Sequence, residues 1–261
     1  MTISFSSQGI DTLFIVLLIG FLAFYFIDKA RKGEFPKMRH IAGLDVISEA
    51  IGRATELGRP VHFSPGIGGI TNDAAPQTFA ALSLLGYVSN LTAKYDTALI
   101  VTIRQGVVYP LADEIVRLSY VNAGKAESYN QNMVRFISDQ QFAYAAGVMG
   151  IFARERIAAN IMMGAFWAES LLFAEAGAQA GAIQVAGTAN MTEIPNFIIG
   201  CDYALIGEEL YAGGAYLSQN PVQLGSIRAQ DIIKLAVVIL IPIGVLMATA
   251  NITFLKTLFT Y

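Results

Sequence analysis

Ser64, Gly66, Gly68 and Gly69 stand in the run SPGIGGITND, between a short extended segment and a helix-length stretch. Glycine lets a backbone come close to an anion, and the first turn of a helix offers amide N–H groups that lack partners. Holding a phosphate or carboxylate is therefore the chemistry such a run could do. It is neither G-x-G-x-x-G nor a Walker sequence with its lysine and Ser/Thr, and its plainer role is a tight turn. Arg104 follows an apolar β-branched run and could pair with a bound anion, or structurally with Asp139 or Glu169. Thr188 and Asn190 follow another such run. These nine residues are the expected ligand-binding set.

Residue types that could do covalent or acid–base work do not assemble into a constellation. Glu169 and Glu175 are six apart and fall on different faces of a helix, and the adjacent Glu208 and Glu209 diverge. His62 lies in an extended apolar segment, where a satisfied, semi-buried imidazole is expected. Cys201 has no histidine near it and is expected as an inert thiol. Ser64 does not sit in G-x-S-x-G. No catalytic residue is expected, and no resident cofactor beyond a possible nucleotide or other anion. With one cysteine and two histidines, His40 and His62, neither a disulfide nor a Cys/His metal site is expected.

The elements that would position these residues begin with a membrane stretch. Ile10 to Ile27 is an apolar run broken only by Asp11 and Thr12, about as long as a bilayer is thick, and only a helix satisfies its own backbone there. Lys29, Arg31, Lys32, Lys37 and Arg39 follow it, whereas the first nine residues carry no Lys or Arg. That asymmetry predicts an uncleaved span whose downstream side is cytoplasmic. Leu235 to Leu255 is a second span with Pro242 inside it, so both termini are expected outside and the lipid bilayer is an expected partner. Two further spans, over Phe142–Ala153 and Ile157–Phe173, are disfavoured because the first is short and the second carries Glu169.

Between the spans, LDVISEAIGRATELG sets Leu44, Ile47, Ile51, Ala54 and Leu57 at spacings of three and four, an amphipathic helix closed by Gly58. The segment Ile41 to Gly66, IAGLDVISEAIGRATELGRPVHFSPG, resembles the opening of an uncharacterised family of prokaryotic membrane-anchored proteins whose domain has no assigned function. The resemblance implies a membrane-anchored domain and supplies no catalytic residues.

Strands are expected at Pro60–Phe63, Thr97–Ile103, Met133–Ile137, Asn160–Phe166, Ala182–Ala186 and Asn196–Gly200, with helices between them and one from Asp202 to about Ala212. This alternation predicts an α/β fold, a Rossmann-like, doubly wound, mostly parallel sheet of about six strands. The expected domains are residues 1–39 as N-terminal anchor, 40–231 as a cytoplasmic α/β domain and 232–261 as the C-terminal transmembrane helix. Ligands of such sheets bind beyond the carboxyl ends of the strands, which is what nominates the nine residues above.

Charged residues are 14% of the 261 and the net charge is −3. With its basic residues gathered near the first span, the chain is not expected to bind nucleic acid. Small residues crowd Ala174–Ala189 and Ala212–Ala215 and could serve packing within the chain or contacts between subunits. Two anchors per chain confine neighbours to a plane, so a homo-oligomer is expected. The first functional expectation is a structural or scaffolding protein whose domain self-associates into a ring or array. The alternative is a membrane-bound enzyme or sensor binding an anionic small molecule at the strand ends.

Overall fold

The computed structural model describes residues 7–34 and 41–250. The Phe35-Pro36 helix break, Lys37, Arg39, His40 and the end of the second apolar stretch lie outside them. The chain divides into two compact units, Met1–Met38 with Gln219–Tyr261, and Arg39–Ser218.

In the first unit, α1 (Ser7–Arg31) and α9 (Pro221–Thr249) are both long and apolar enough to cross a membrane, and almost none of their apolar surface is buried. They pack on each other. A Cβ on Gly225, near the start of α9, would lie 2.5 Å from the Cα of Ile27, near the end of α1, so the missing side chain lets two antiparallel backbones meet. α9 stays helical through Pro242.

The second unit opens with α2 (Ala42–Leu57), which ends where Gly58 adopts a left-handed conformation. There follow β1 (Val61–Gly66), α3 (Ala75–Lys94), β2 (Leu99–Ile103), α4 (Tyr109–Asn122), β3 (Val134–Phe136), α5 (Gln141–Glu155) and β4 (Ala159–Ala165). The unit closes with α6 (Glu169–Ala180), β5 (Ile183–Thr188), α7 (Ile194–Gly200), β6 (Tyr203–Ile206) and α8 (Glu208–Ser218). All six strands are parallel, in the order β3-β2-β1-β4-β5-β6. Chain order reverses between β1 and β4.

Strands β1, β2 and β4 are buried along their whole length, as apolar runs covered on both faces must be. Val61, Phe63, Val101, Ile103, Ile161 and Val185 point to the layer of α2, α3, α4 and α8. The alternate residues point to a second cluster in which Tyr144, Phe152, Phe166, Phe173 and Phe197 pack edge to face. Each fully buried ring contributes about 1.5–3 kcal/mol.

One element differs from its sequence reading. Asn196–Gly200, expected as the sixth strand, is helical within α7, and the strand is Tyr203–Ile206, inside the stretch expected to be helix. Pro195 sits in the first turn of α7, where its missing N–H costs nothing and its fixed φ suits a helix, so NFIIG takes one short helical turn despite its β-branched residues. Cys201 and Asp202 consequently precede β6 and lie at the amino end of the sheet, not at its ligand-binding edge. The small residues of Ala174–Ala189 pack within the chain: a Cβ on Gly177 would lie 2.3 Å from Oε1 of Gln184.

Candidate functional site

The nine expected residues all come from the carboxyl ends of strands or the loops that follow them, around the reversal between β1 and β4. β1 and β4 approach unusually closely there. Gly66 has φ +82° and Gly164 φ +125°; a Cβ on Gly66 would lie 2.2 Å from the carbonyl oxygen of Ala165, and one on Gly164 2.3 Å from that of Pro65. The register slips at this point, and the Ile67 amide then donates to Ala165 O at 2.8 Å. Gly66 is therefore required by strand-to-strand approach.

Most of the polar groups expected to meet a ligand are occupied by the chain itself. Glu169, fully buried in the first turn of α6, accepts from the Trp167 amide at 2.9 Å and from Gln141 Nε2 at 2.5 Å, a position the helix dipole favours for an acid. Asp139 accepts from the Gly106 amide at 3.3 Å. Thr188 donates to Gln77 and accepts from the Asn190 amide, while Asn190 Nδ2 donates to Phe166 O at 3.0 Å. Neither Asp139 nor Glu169 pairs with Arg104.

Three donors remain open. Arg104 gives Nη1 to the carbonyl of Ile67 at 3.1 Å, while its Nε is buried with no partner. The next residues, Gly68 and Gly69, are themselves buried, and their amides make no hydrogen bond among the described residues. Buried N–H groups without a partner are uncommon, and a ligand or water satisfies them where they occur. The three donors cluster because Arg104 grips the residue immediately before Gly68. Ile67 turns the other way, into the cluster with Tyr144 and Phe166, and fills the crevice beneath. Trp167, 53% exposed, stands across the reversal on the loop after β4.

Below the site runs a feature that periodicity passed over. Gln184 gives Nε2 to the carbonyls of Ala174 and Gly200 at 2.8 and 3.1 Å, so its oxygen faces Asn160 and receives Nδ2 at 3.0 Å. Asn160 Oδ1 then faces His62 Nδ1 at 2.8 Å, which fixes the proton on that nitrogen. His62 Nε2 accepts from the Thr102 hydroxyl at 2.9 Å. The Tyr144 hydroxyl consequently donates to Thr102 and accepts from Ser64 at 2.8 Å, and Ser64 accepts from the Gly66 amide at 3.1 Å. Every proton points the same way, from Gly66 across β1, β2, β4 and β5 to the carbonyls of Ala174 and Gly200. Burial holds the His62 imidazole down at about 4, against the bond to Asn160, which favours the charged form. Burial also pushes the Tyr144 phenol up to about 12. The signal was present in the sequence as one polar residue set into each of four apolar strands.

His62 is thus a saturated hydrogen-bonding group with no lone pair left for a substrate. Cys201 is pushed up to about 12 by burial and by the Asp202 carboxylate beside it. No cluster of three or more His, Cys, Asp or Glu stands ready for a metal among the described residues. Two surface hollows lie away from the nine residues, one near the carboxyl ends of α5 and α6 and one beside β3 at Asn132, Arg135 and Phe136.

Among known proteins, residues 2–259 match a family whose description is "Domain of unknown function (DUF6754)", and the chain belongs to that family. No curated protein and no solved structure matches it.

Proposed function

We propose that this member of a family of unknown function is a membrane-anchored protein whose Rossmann-like α/β domain binds a nucleotide or other anionic small molecule at the reversal between β1 and β4. One observation carries the reading: the amides of Gly68 and Gly69 and the Nε of Arg104, all buried and without partners, gather where open parallel sheets take their ligands. An anion is the ligand that three converging donors and a guanidinium suit. Glu169 already occupies the start of α6, so the anion belongs on the β1 side of the crevice. The two apolar helices support anchorage in the cytoplasmic membrane, and the Lys/Arg asymmetry around α1 supports a cytoplasmic domain with both termini outside. Thermal-shift screening of the full chain in detergent against nucleoside mono-, di- and triphosphates tests this. A stabilisation that Arg104→Ala removes is expected; no shift with any of them would overturn it.

A second reading keeps the expected self-association into a ring or array. It is favoured by Ile198 and Ile199 on α7, 55% and 85% exposed, next to the exposed Tyr203 and Ile206 of edge strand β6. Mass measurement in mild detergent decides it: a monodisperse monomer would count against an assembly.

A further inference from the structure

We infer a second binding site at the opposite edge of the sheet, in the hollow between the carboxyl ends of α5 and α6, for an amphiphilic anion: an apolar chain or ring with a carboxylate or phosphate head. The hollow has a volume of about 610 Å³, within the span of roughly 300–1,000 Å³ typical of small-molecule sites. Its walls are apolar, formed by Met149, Phe152, Ala176 and Ala180, and the alanines leave the space a larger side chain would fill. Arg59 and Arg156 stand at its lip.

Their charges are not equally available. Arg59 is clamped, Nε to Arg156 O at 2.5 Å and Nη2 to Ile157 O and Ala180 O at 2.7 Å each. Those carbonyls belong to the ends of α5 and α6, where the helix dipole is negative, so this guanidinium is offset by the backbone it caps. Its Nη1 has no partner among the described residues. Arg156 is in surplus: its side chain is exposed and makes no bond or ion pair among the described residues. The neighbouring acids are engaged elsewhere, Glu155 with Arg135 at 3.4 Å and Glu175 with Gln179 at 3.2 Å.

Arg156 also holds a left-handed backbone, φ +51°, at the position where helices ordinarily end in Gly or Asn. A β-carbon there is strained, and such strain marks a position kept for its side chain. A cationic lip over an apolar floor, walled by short side chains, complements a molecule with an anionic head and a greasy body. A free phosphate would use the lip and leave the floor wet.

The test uses the full chain in phosphatidylcholine nanodiscs titrated with dansyl-undecanoic acid, whose fluorescence rises when its tail leaves water. A saturable rise above that of empty nanodiscs is expected, displaced by decanoate or decyl phosphate but not by decanol or inorganic phosphate. Ala176→Trp, which fills the hollow, should abolish the saturable part, and Arg156→Ala should weaken it about tenfold. Arg104→Ala, at the other edge, should leave it unchanged, which separates this site from the one proposed above. Thermal unfolding shows whether each variant is folded; should Ala176→Trp fail to fold, the surface change Arg156→Ala decides. No saturable rise, equal binding by Arg156→Ala, or displacement by inorganic phosphate alone would overturn the inference.

Discussion

Replacing His62 by Gln removes the one titrating group from the buried proton chain while leaving a donor and an acceptor of similar reach. In the unfolded chain the imidazole takes up a proton as pH falls through about 6.5. In the folded domain burial delays this to about 4, and the nearby Arg135 charge works in the same direction. Between those values the unfolded state binds more protons, so folding free energy falls as pH falls, and the loss is complete below the folded value. A difference of about 2.5 units at about 1.4 kcal/mol each gives roughly 3 kcal/mol. The imidazole is fully buried, so solvent screening does not reduce this much. At pH 7 the Gln variant should be the weaker protein by about 1–2 kcal/mol, because its amide fits the Asn160 and Thr102 partners less well. Thermal unfolding of the full chain at pH 7, 5.5 and 4 compares the two. The wild-type midpoint should fall relative to the variant by about 6–12 °C across that range, at roughly 2–4 °C per kcal/mol for a unit this size. Their order should reverse below about pH 5. A constant difference between the two at all three pH values would refute both the neutral tautomer and the directed chain built on it.

Gly66→Ala should cost more than about 2 kcal/mol, since the new Cβ meets the Ala165 carbonyl at a positive φ; guanidinium titration of the full chain reads this as a lower midpoint. Tyr144→Phe should cost about 1–3 kcal/mol by leaving Ser64 and Thr102 short of a buried partner, and a loss below about 0.5 kcal/mol would mean that the hydroxyl is dispensable. Gly225→Leu should force α1 and α9 apart at Ile27, and a cysteine pair placed along their contact should then cross-link several-fold more slowly. Cys201 should resist maleimide at pH 8 in the native protein and react on unfolding, because its thiol is held protonated up to about 12.

Much of the scaffold was legible because burial on both faces writes strands as continuous apolar runs. TALIVTI and NIMMGAF became β2 and β4 on that signal, and Gly58 and Gly181 mark helix ends by their left-handed backbone. The two apolar helices were visible from length alone. What failed was NFIIG, where a proline at the first helical position outweighed β propensity over a very short stretch, and propensity decides little there. The candidate site was legible as a place, since strand ends in a parallel sheet are predictable, but not as a set of roles. Local sequence could not say that Glu169, Asp139, Thr188 and Asn190 spend their hydrogen bonds on loops far away in sequence. Nor could it say that Gly66 serves β4. The open donors of Gly68, Gly69 and Arg104 emerge only once every other group has been assigned its partner. The His62 chain escaped for a related reason: its members are isolated in sequence and meet only through strand register, His62 opposite Asn160 and Asn160 opposite Gln184.

Amide hydrogen exchange at Gly68 and Gly69, in the full chain with and without the nucleotide that stabilises it most, tests the proposed anion site most directly. Fast exchange in the free protein and at least about tenfold slowing at saturation is the expected result, since these amides lack a partner until an anion supplies one. Slow exchange without any ligand, or rates that saturating nucleotide leaves unchanged, would contradict it.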